Sequence, residues 1–287
     1  MRNSRYMGLL LMLVGAVSLW GQDQKEIRLI IRADDMGSSH AANVACIQAF
    51  KEGIVTSVEL MVPCPWFLEA VTLLNEHPEL DVGIHLTLTS EWTHLKWRPL
   101  ATVPSLVDED GYFYPMIWPN ANYSKHKTLS SAGWRLGEVE KELRAQIEMA
   151  LKYVPRCSHI SSHMGFGSMS KKIDELLQRL AKEYKFGSYP NPCPLKGVRL
   201  LGDLESVEQS VTQAVNVLQT LGPGTWLFVE HPALDTPEMR AIWHTGYTNV
   251  ASSRNIVTQS LIHPALRKAI NERRIKLVSY KEAGLKK

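Results

Sequence analysis

Short apolar runs alternate along the chain with longer stretches whose apolar positions recur every three or four residues. Ile27–Asp35 (IRLIIRADD) is such a run, closed by two carboxylates, and reads as a buried strand. Val44, Ile47 and Phe50 follow at helical spacing within Ala41–Gly53, with Ser38 or Ser39 as N-cap and Gly53 as C-cap. Further strands are expected over Thr56–Val62, Asp81–Thr89, Ser158–Met164, Phe186–Tyr189, Thr225–His231 and Ile275–Tyr280. Helices are expected over Phe67–Asn75, Gly137–Tyr153, Ser170–Tyr184, Ser206–Leu221 and Pro264–Arg273. Val139, Leu143, Ile147 and Leu151 form one stripe four residues apart. The stretch from Ser90 to Arg135 is rich in Pro, Trp, Tyr and Asn, has no clear period, and reads as an insertion over one end of the fold. Strands alternating with helices, with no run of hairpins, predict an α/β fold with a parallel sheet, open or closed into a barrel.

Ahead of this pattern, Arg2 and Arg5 precede the apolar Met7–Leu19, where Ala16 and Ser18 offer a small-residue cleavage pattern. Residues 1–21 therefore read as a secretory signal peptide, and 22–287 as a single domain. The apolar stretch is shorter than the ~20 residues that span a bilayer. No second one follows, so the mature protein is expected to be secreted or periplasmic, with no stable membrane insertion. Cys46, Cys64, Cys157 and Cys193 show no C-x-x-C spacing, which disfavours a thiolate metal site and leaves disulfide pairing open. With 45% apolar and 21% charged residues, disorder is excluded. The net charge is +3, or +1 without Arg2 and Arg5, with no run of five like charges. That argues against charge-driven nucleic-acid binding.

The chemistry-bearing residues gather at strand ends. Asp34 and Asp35 close the first strand, His85 lies on the third, His159 and His163 bracket Ser158–Met164, and His231 closes Thr225–His231. In parallel β/α folds, sites are built at the carboxyl ends of strands. Carboxylates and imidazoles converging there suit zinc or a similar divalent ion. Each alone is ordinary, since a lone Asp-Asp is usually a turn and a lone His a core or surface residue. Their joint placement is what points to a site. Trp92, Trp97, Tyr112, Tyr114, Trp118, Tyr123 and Trp134 cluster in the long stretch. They fit a carbohydrate groove, or a small core that packs the stretch onto the barrel. Phosphate-binding glycine motifs, the G-x-S-x-G elbow and H-E-x-x-H are absent, so nucleotide binding and serine hydrolysis have no support.

Several of these segments resemble, in order, the motifs of the YdjC-like (ChbG-like) carbohydrate deacetylases. Arg32–Ser39 (RADDMGSS) resembles their N-A-D-D-F-G-L-S, and Ala49–Ser57 (AFKEGIVTS) their E-G-I-V-T-S junction. Val82–Thr89 (VGIHLTLT) is similar to V-G-x-H-L-x-L-T, and Glu138–Ile147 (EVEKELRAQI) to E-I-x-x-E-x-x-A-Q-I. Ser158–His163 (SHISSH) stands where the family has T-H-x-D-S-H, and Glu230–Ala233 (EHPA) resembles C-H-P-G or C-H-P-A. Ile275–Tyr280 looks like the closing strand, so the likeness runs from about Ile27 to Tyr280.

The resemblance implies an irregular TIM-like β/α barrel and metal-dependent removal of an acetyl group from an N-acetylated carbohydrate. By position, Asp35, His85 and His163 would ligate one divalent ion, Asp34 would be the general base, and His231 the acid that protonates the leaving amine. Two imidazoles and one carboxylate favour zinc, with magnesium open. A metal with an open position lowers the pKa of water and polarises a carbonyl, which an amide needs. A homodimer is compatible with the reading. Arg32 replaces the motif Asn and puts a cation near the site; with Trp92 and Trp97 it is a candidate for substrate binding. Ser161 replaces the Asp of D-S-H, removing a carboxylate that could support a ligand histidine, and Met164–Gly167 (MGFG) replaces a following H-H-x-H. Neighbouring Asp34 and Asp35 point to opposite faces of an extended strand, so both serve one site only if the strand twists or ends there. A carbohydrate-binding relative without catalysis and a metal-dependent acetyl esterase remain as alternatives. Keeping all five residues together argues against the first.

Overall fold

The computed structural model describes residues 26–284, apart from 188, 191–193 and 204. The expected signal peptide and Cys193 lie outside the described residues. Seven strands run in chain order: β1 (Ile27–Met36), β2 (Ser57–Leu60), β3 (Asp81–Leu86), β4 (His159–Ser162), β5 (Lys196–Gly197), β6 (Gly224–Glu230) and β7 (Lys276–Leu277). All pairings are parallel, in the order β4-β3-β2-β1-β6-β5. β7 joins β1 at Arg28 and Leu29, ahead of the point where β2 joins at Arg32. The sheet curls into a half-barrel, whose outermost strands β4 and β5 do not pair.

β1 is central and apolar on both faces, as a parallel strand between two layers must be. Leu29, Ile31 and Ala33 join the main core, while Ile30 packs with Val278, Tyr280 and Ala283 in a smaller cluster. Nine helices surround the sheet among the described residues: α1 (His40–Lys51), α2 (Phe67–Glu76), α3 (Leu136–Tyr153), α4 (Lys171–Glu183), α5 (Val207–Thr220), α6 (Pro237–Arg240), α7 (Val250–Leu261), α8 (Pro264–Glu272) and α9 (Tyr280–Gly284). Ser39, Ser170 and Ser206 cap α1, α4 and α5 by accepting an exposed first-turn N–H. None of the described helices is long and apolar enough to cross a membrane.

Four expectations change. Gly53 is not the cap of α1; Glu52 is, and a side chain at Gly53 would collide with the Ala49 and Leu261 carbonyls. The described residues of Phe186–Tyr189 form no strand, and the strand of that region is β5. The closing strand is shorter than Ile275–Tyr280, because Tyr280 already starts α9. Helix α7 has no counterpart in the hydrophobic pattern: its buried residues include Ser253, Arg254, Thr258 and Ser260, so no apolar stripe marks it.

The segment between β3 and α3 adds no strand to the sheet and no α-helix, only three short 3₁₀ turns. Its interior is apolar: Trp97, Val103, Leu106, Phe113, Ile117 and Leu129 are buried in the main core. Helix α3 holds it by polar side chains, of which Glu142 and Gln146 are buried. Glu142 accepts from Leu100 N (3.1 Å) and Ala101 N (2.8 Å), and Glu138 accepts from Ser105 N (2.7 Å). Gln146 brackets Thr87, accepting from its N–H and donating to its carbonyl. The E-x-x-x-E-x-x-A-Q-I run thus has a structural use.

Candidate metal centre

β1 breaks its regular course at the two aspartates. Its register with β2 shifts between Ala33 and Met36, and Asp35 has φ 68°, a left-handed conformation uncommon outside glycine. Gly37 follows at φ 101°, where a Cβ would come within 2.7 Å of the Met61 carbonyl oxygen. This bulge answers the facing problem: Asp34 and Asp35 both turn toward the ends of β3 and β4. His85 Nε2 lies 3.7 Å from Asp34 Oδ2 and 3.7 Å from Asp35 Oδ1. His163, the first residue past β4, puts Nδ1 3.3 Å from Asp35 Oδ1 and 3.3 Å from His85 Nε2. One ligand atom from each of Asp35, His85 and His163 falls within a 4.8 Å span, and all three residues are buried.

The protons in this cluster follow from its outer partners. The Ser161 hydroxyl donates to Glu59 Oε2, so its oxygen is left to accept from His85 Nδ1–H at 2.7 Å. His163 Nε2 lies 3.1 Å from Glu91 Oε2, a carboxylate that takes its N–H. His85 Nε2, His163 Nδ1 and Asp35 Oδ1 then face one another as three lone pairs. Asp35 Oδ1 is buried and makes no hydrogen bond. Three converging acceptors repel unless a cation or a proton sits among them. The donor set fits a divalent ion with nitrogen and oxygen preference, and two of its residues, Asp35 and His163, line the cleft. Without one, the proton falls on His163: burial opposes its charge, but the Glu91 and Asp35 carboxylates outweigh burial and hold it up to about 10. Burial and the neighbouring His163 push His85 down to about 3.

The two aspartates differ in partners. Asp35 Oδ2 accepts from Arg254 of α7 at 2.8 Å. Burial alone would raise Asp35, yet Arg254, His231 and His163 hold it well below the usual carboxylate range. Asp34 accepts both arms of Arg32, at 2.7 and 2.8 Å. Burial, reinforced by the Glu59 charge, raises Asp34 despite that guanidinium.

Asp35 and His163 open onto a cleft of about 240 Å³, walled by Glu91, Trp92, His231, His244, Tyr247 and Arg254. Burial lowers His231 to about 4, so it rests as neutral imidazole. Trp92 stacks on His244 with centroids 5.4 Å apart and lies under the Arg254 guanidinium, 5.3 Å from its ring centre. Glu91 and Trp92 also line a larger adjoining cleft of about 630 Å³ with Tyr114, Tyr123, Lys96 and His126. Trp97 and Arg32 line neither. The Trp97 indole N–H donates to the Thr89 carbonyl in the core, and Arg32 is committed to Asp34 and the Tyr280 hydroxyl. His159 turns away to Glu59 (2.6 Å) and stacks on Tyr280. Cys46, Cys64 and Cys157 are buried free thiols.

Glu59, Glu91 and Arg254 were not anticipated from sequence. Glu59 lies inside a buried strand, Glu91 lies at the start of an aperiodic segment, and Arg254 sits on the helix without a stripe.

Known proteins share this framework. A carbohydrate deacetylase of Geobacillus stearothermophilus is 30% identical over 260 residues, covering 88% of this chain and 96% of that protein. Another from Thermus thermophilus is 32% identical over 270 residues, covering 85% and 89%. A crystal structure from Enterococcus faecalis, provisionally assigned to cellobiose-phosphate cleavage, superposes with a TM-score of 0.70 at 28% identity, covering 90% of this chain and 99% of that one. The model of the YdjC-like protein family matches residues 28–272, so the chain belongs to that family.

Proposed function

We propose that this chain is a metal-dependent carbohydrate deacetylase that cleaves the acetamide of an N-acetylated sugar. The observation that carries the reading is the set of three converging acceptors beside an open cleft, with a fourth carboxylate, Asp34, next to them. The relatives' activity supplies the substrate class. A zinc ion held by Asp35, His85 and His163 would supply Lewis acidity for water and the acetyl carbonyl. Asp34 sits where it can take the proton of the attacking water, and its burial-raised basicity suits that task near neutral pH. Arg32 keeps the Asp34 carboxylate aimed while it waits. His231, neutral at rest, would take one proton from solvent and give it to the leaving nitrogen, while Asp34 returns the water's proton to solvent, so the protons balance. Trp92 walls the cleft in which the sugar ring would lie.

The same reading takes residues 1–21 as a signal peptide and 22–287 as one catalytic domain acting outside the cytoplasm. Mass analysis of the exported protein checks the cleavage.

The test is acetate release from N-acetylated oligosaccharides by metal-stripped protein, with and without added zinc or magnesium. Acetate should appear only with metal. Asp34→Asn should keep metal and lose roughly 10²–10⁴-fold in turnover, the usual weight of a general base. Acetate from O-acetyl but not N-acetyl sugars would convert the assignment to an esterase. Full turnover by Asp34→Asn would move the base elsewhere.

A further inference from the structure

One buried carboxylate has no part in the chemistry above. Glu59 lies on β2, is fully buried, and reaches none of the three ligand atoms directly; His85 Nδ1 is 4.0 Å from its Oε2. Its two oxygens are nonetheless fully engaged. Oε1 takes His159 Nε2 at 2.6 Å, and His159 is in turn held by the Ser158 hydroxyl at 2.7 Å and by the Tyr280 ring stacked upon it. Oε2 takes the Ser161 hydroxyl. Arg32 Nε, 3.9 Å from Oε1, adds a positive neighbour. The space the carboxyl occupies is reserved: at Gly83, on the adjacent strand, a Cβ would overlap both Glu59 oxygens and His159 Nε2. A carboxyl group packed this closely among His159, Ser161 and Arg32 is expensive to bury.

We propose that Glu59 is a positioning residue which, through the Ser161 hydroxyl, locks His85 in the Nδ1–H form and so aims its Nε2 lone pair at Asp35 and His163. The relay is directional. Ser161 has one hydrogen, which goes to Glu59; its oxygen therefore only accepts, and His85 Nδ1 must donate. The family motif places an aspartate at position 161, and this chain has serine there. Here the carboxylate stands one strand further on, at Glu59, and the serine spans the gap. Arg32, a second departure from the motif, has its Nε 2.7 Å from Asp34 and 3.9 Å from Glu59 and so stands between two buried carboxyl groups. Two of the three departures are thereby joined to one residue.

This inference rests on the metal reading only for what the aimed lone pair binds, so two readouts are needed. The first is the tautomer of His85 in the metal-free protein, read by long-range ¹H–¹⁵N NMR. Wild type should show Nδ1–H alone, whereas Glu59→Met and Ser161→Ala should each show a mixture or the other form. The second is zinc affinity by calorimetry. Each variant should bind roughly 10–100-fold more weakly, the usual cost of losing an outer partner of a ligand histidine. Glu59→Met/Ser161→Asp should recover both the tautomer and most of the affinity, which a merely structural role would not do. Should Glu59→Met fail to fold, Ser161→Ala alone still cuts the relay. A His85 that stays Nδ1–H in both single variants, with unchanged zinc affinity, overturns the proposal. Wild type that binds no zinc but shows the tautomer switch sinks the metal assignment and leaves the positioning role standing.

Discussion

The two walls of the site are built in different ways. One wall comes from consecutive strands: Asp34 and Asp35 from β1, Glu59 from β2, His85 from β3, and His163 just past β4. The other comes from loops and a helix: Glu91 and Trp92 from the segment after β3, His231 from the end of β6, and Arg254 from α7. On the strand wall, His85 and Glu59 are held by the β4 side chains Ser161 and His159, while Asp35 and His163 are also held from the other wall, by Arg254 and Glu91. On the other wall, contacts are made by groups far apart in sequence. The strand wall therefore sets the ligand geometry, and the loop-and-helix wall sets charge balance and what enters the cleft.

The largest test of that division is His163→Ala. It removes one of three converging ligand atoms and leaves Glu91 buried without its partner. Zinc affinity should fall by more than the roughly 10–100-fold that loss of an outer partner costs, and acetate release should fall with it. Calorimetry and turnover are read on the same sample. Near-normal binding would mean that the strand wall does not define the metal position.

Much of the strand wall could be read in the sequence, because strands ending in Asp, Asp, His and His announce themselves by short apolar runs. What sequence could not give was how Asp34 and Asp35 share one face. That depends on the left-handed turn at Asp35 and the bulge beside it, which follow from how Gly37 packs against Met61. Glu59 was hidden for a different reason. A carboxylate inside an apolar strand looks like its solvent face, and only its tertiary partners show that it is fully buried. The cap of α1 was legible as local chemistry, as Ser38 or Ser39, and Ser39 is the one that caps. Helix α7 was not, since its polar residues are buried by tertiary contacts that no local pattern records. In the aromatic segment Trp97 and Phe113 are core, Tyr114 and Tyr123 line the larger cleft, and Trp92 belongs to both.

Arg254→Met probes the other wall and should have an intermediate effect. Arg254 is buried, and its NH2 group holds Asp35 Oδ2 at 2.8 Å. Removing one partner of a buried ion pair costs about 3–5 kcal/mol. A bound divalent ion partly replaces the lost cation, because it neutralises the same carboxylate. Denaturant unfolding should therefore show a larger loss in metal-stripped protein than in zinc-loaded protein. Equal losses in both would mean that Arg254 supports the fold independently of the metal position, and the charge-balancing role of this wall would be lost.

The smallest effect is expected furthest from the ligands, at Tyr123. Its ring lines the larger cleft and meets His244 edge-on, with centroids 6.1 Å apart. It touches none of the groups assigned to the chemistry, so Tyr123→Ala should spare kcat. If the larger cleft receives the sugars that flank the acetamide, the variant should raise KM for longer oligosaccharides by roughly 2–10-fold, the weight of one aromatic contact of about 0.5–1.5 kcal/mol. KM for the shortest substrates should stay put, since they would occupy only the inner cleft. A rise in KM with kcat unchanged is the mark of binding shared by ground and transition states. A fall in kcat for short and long substrates alike would instead place Tyr123 in support of the Trp92–His244 stack, and the boundary between the two walls would run through the larger cleft rather than behind it.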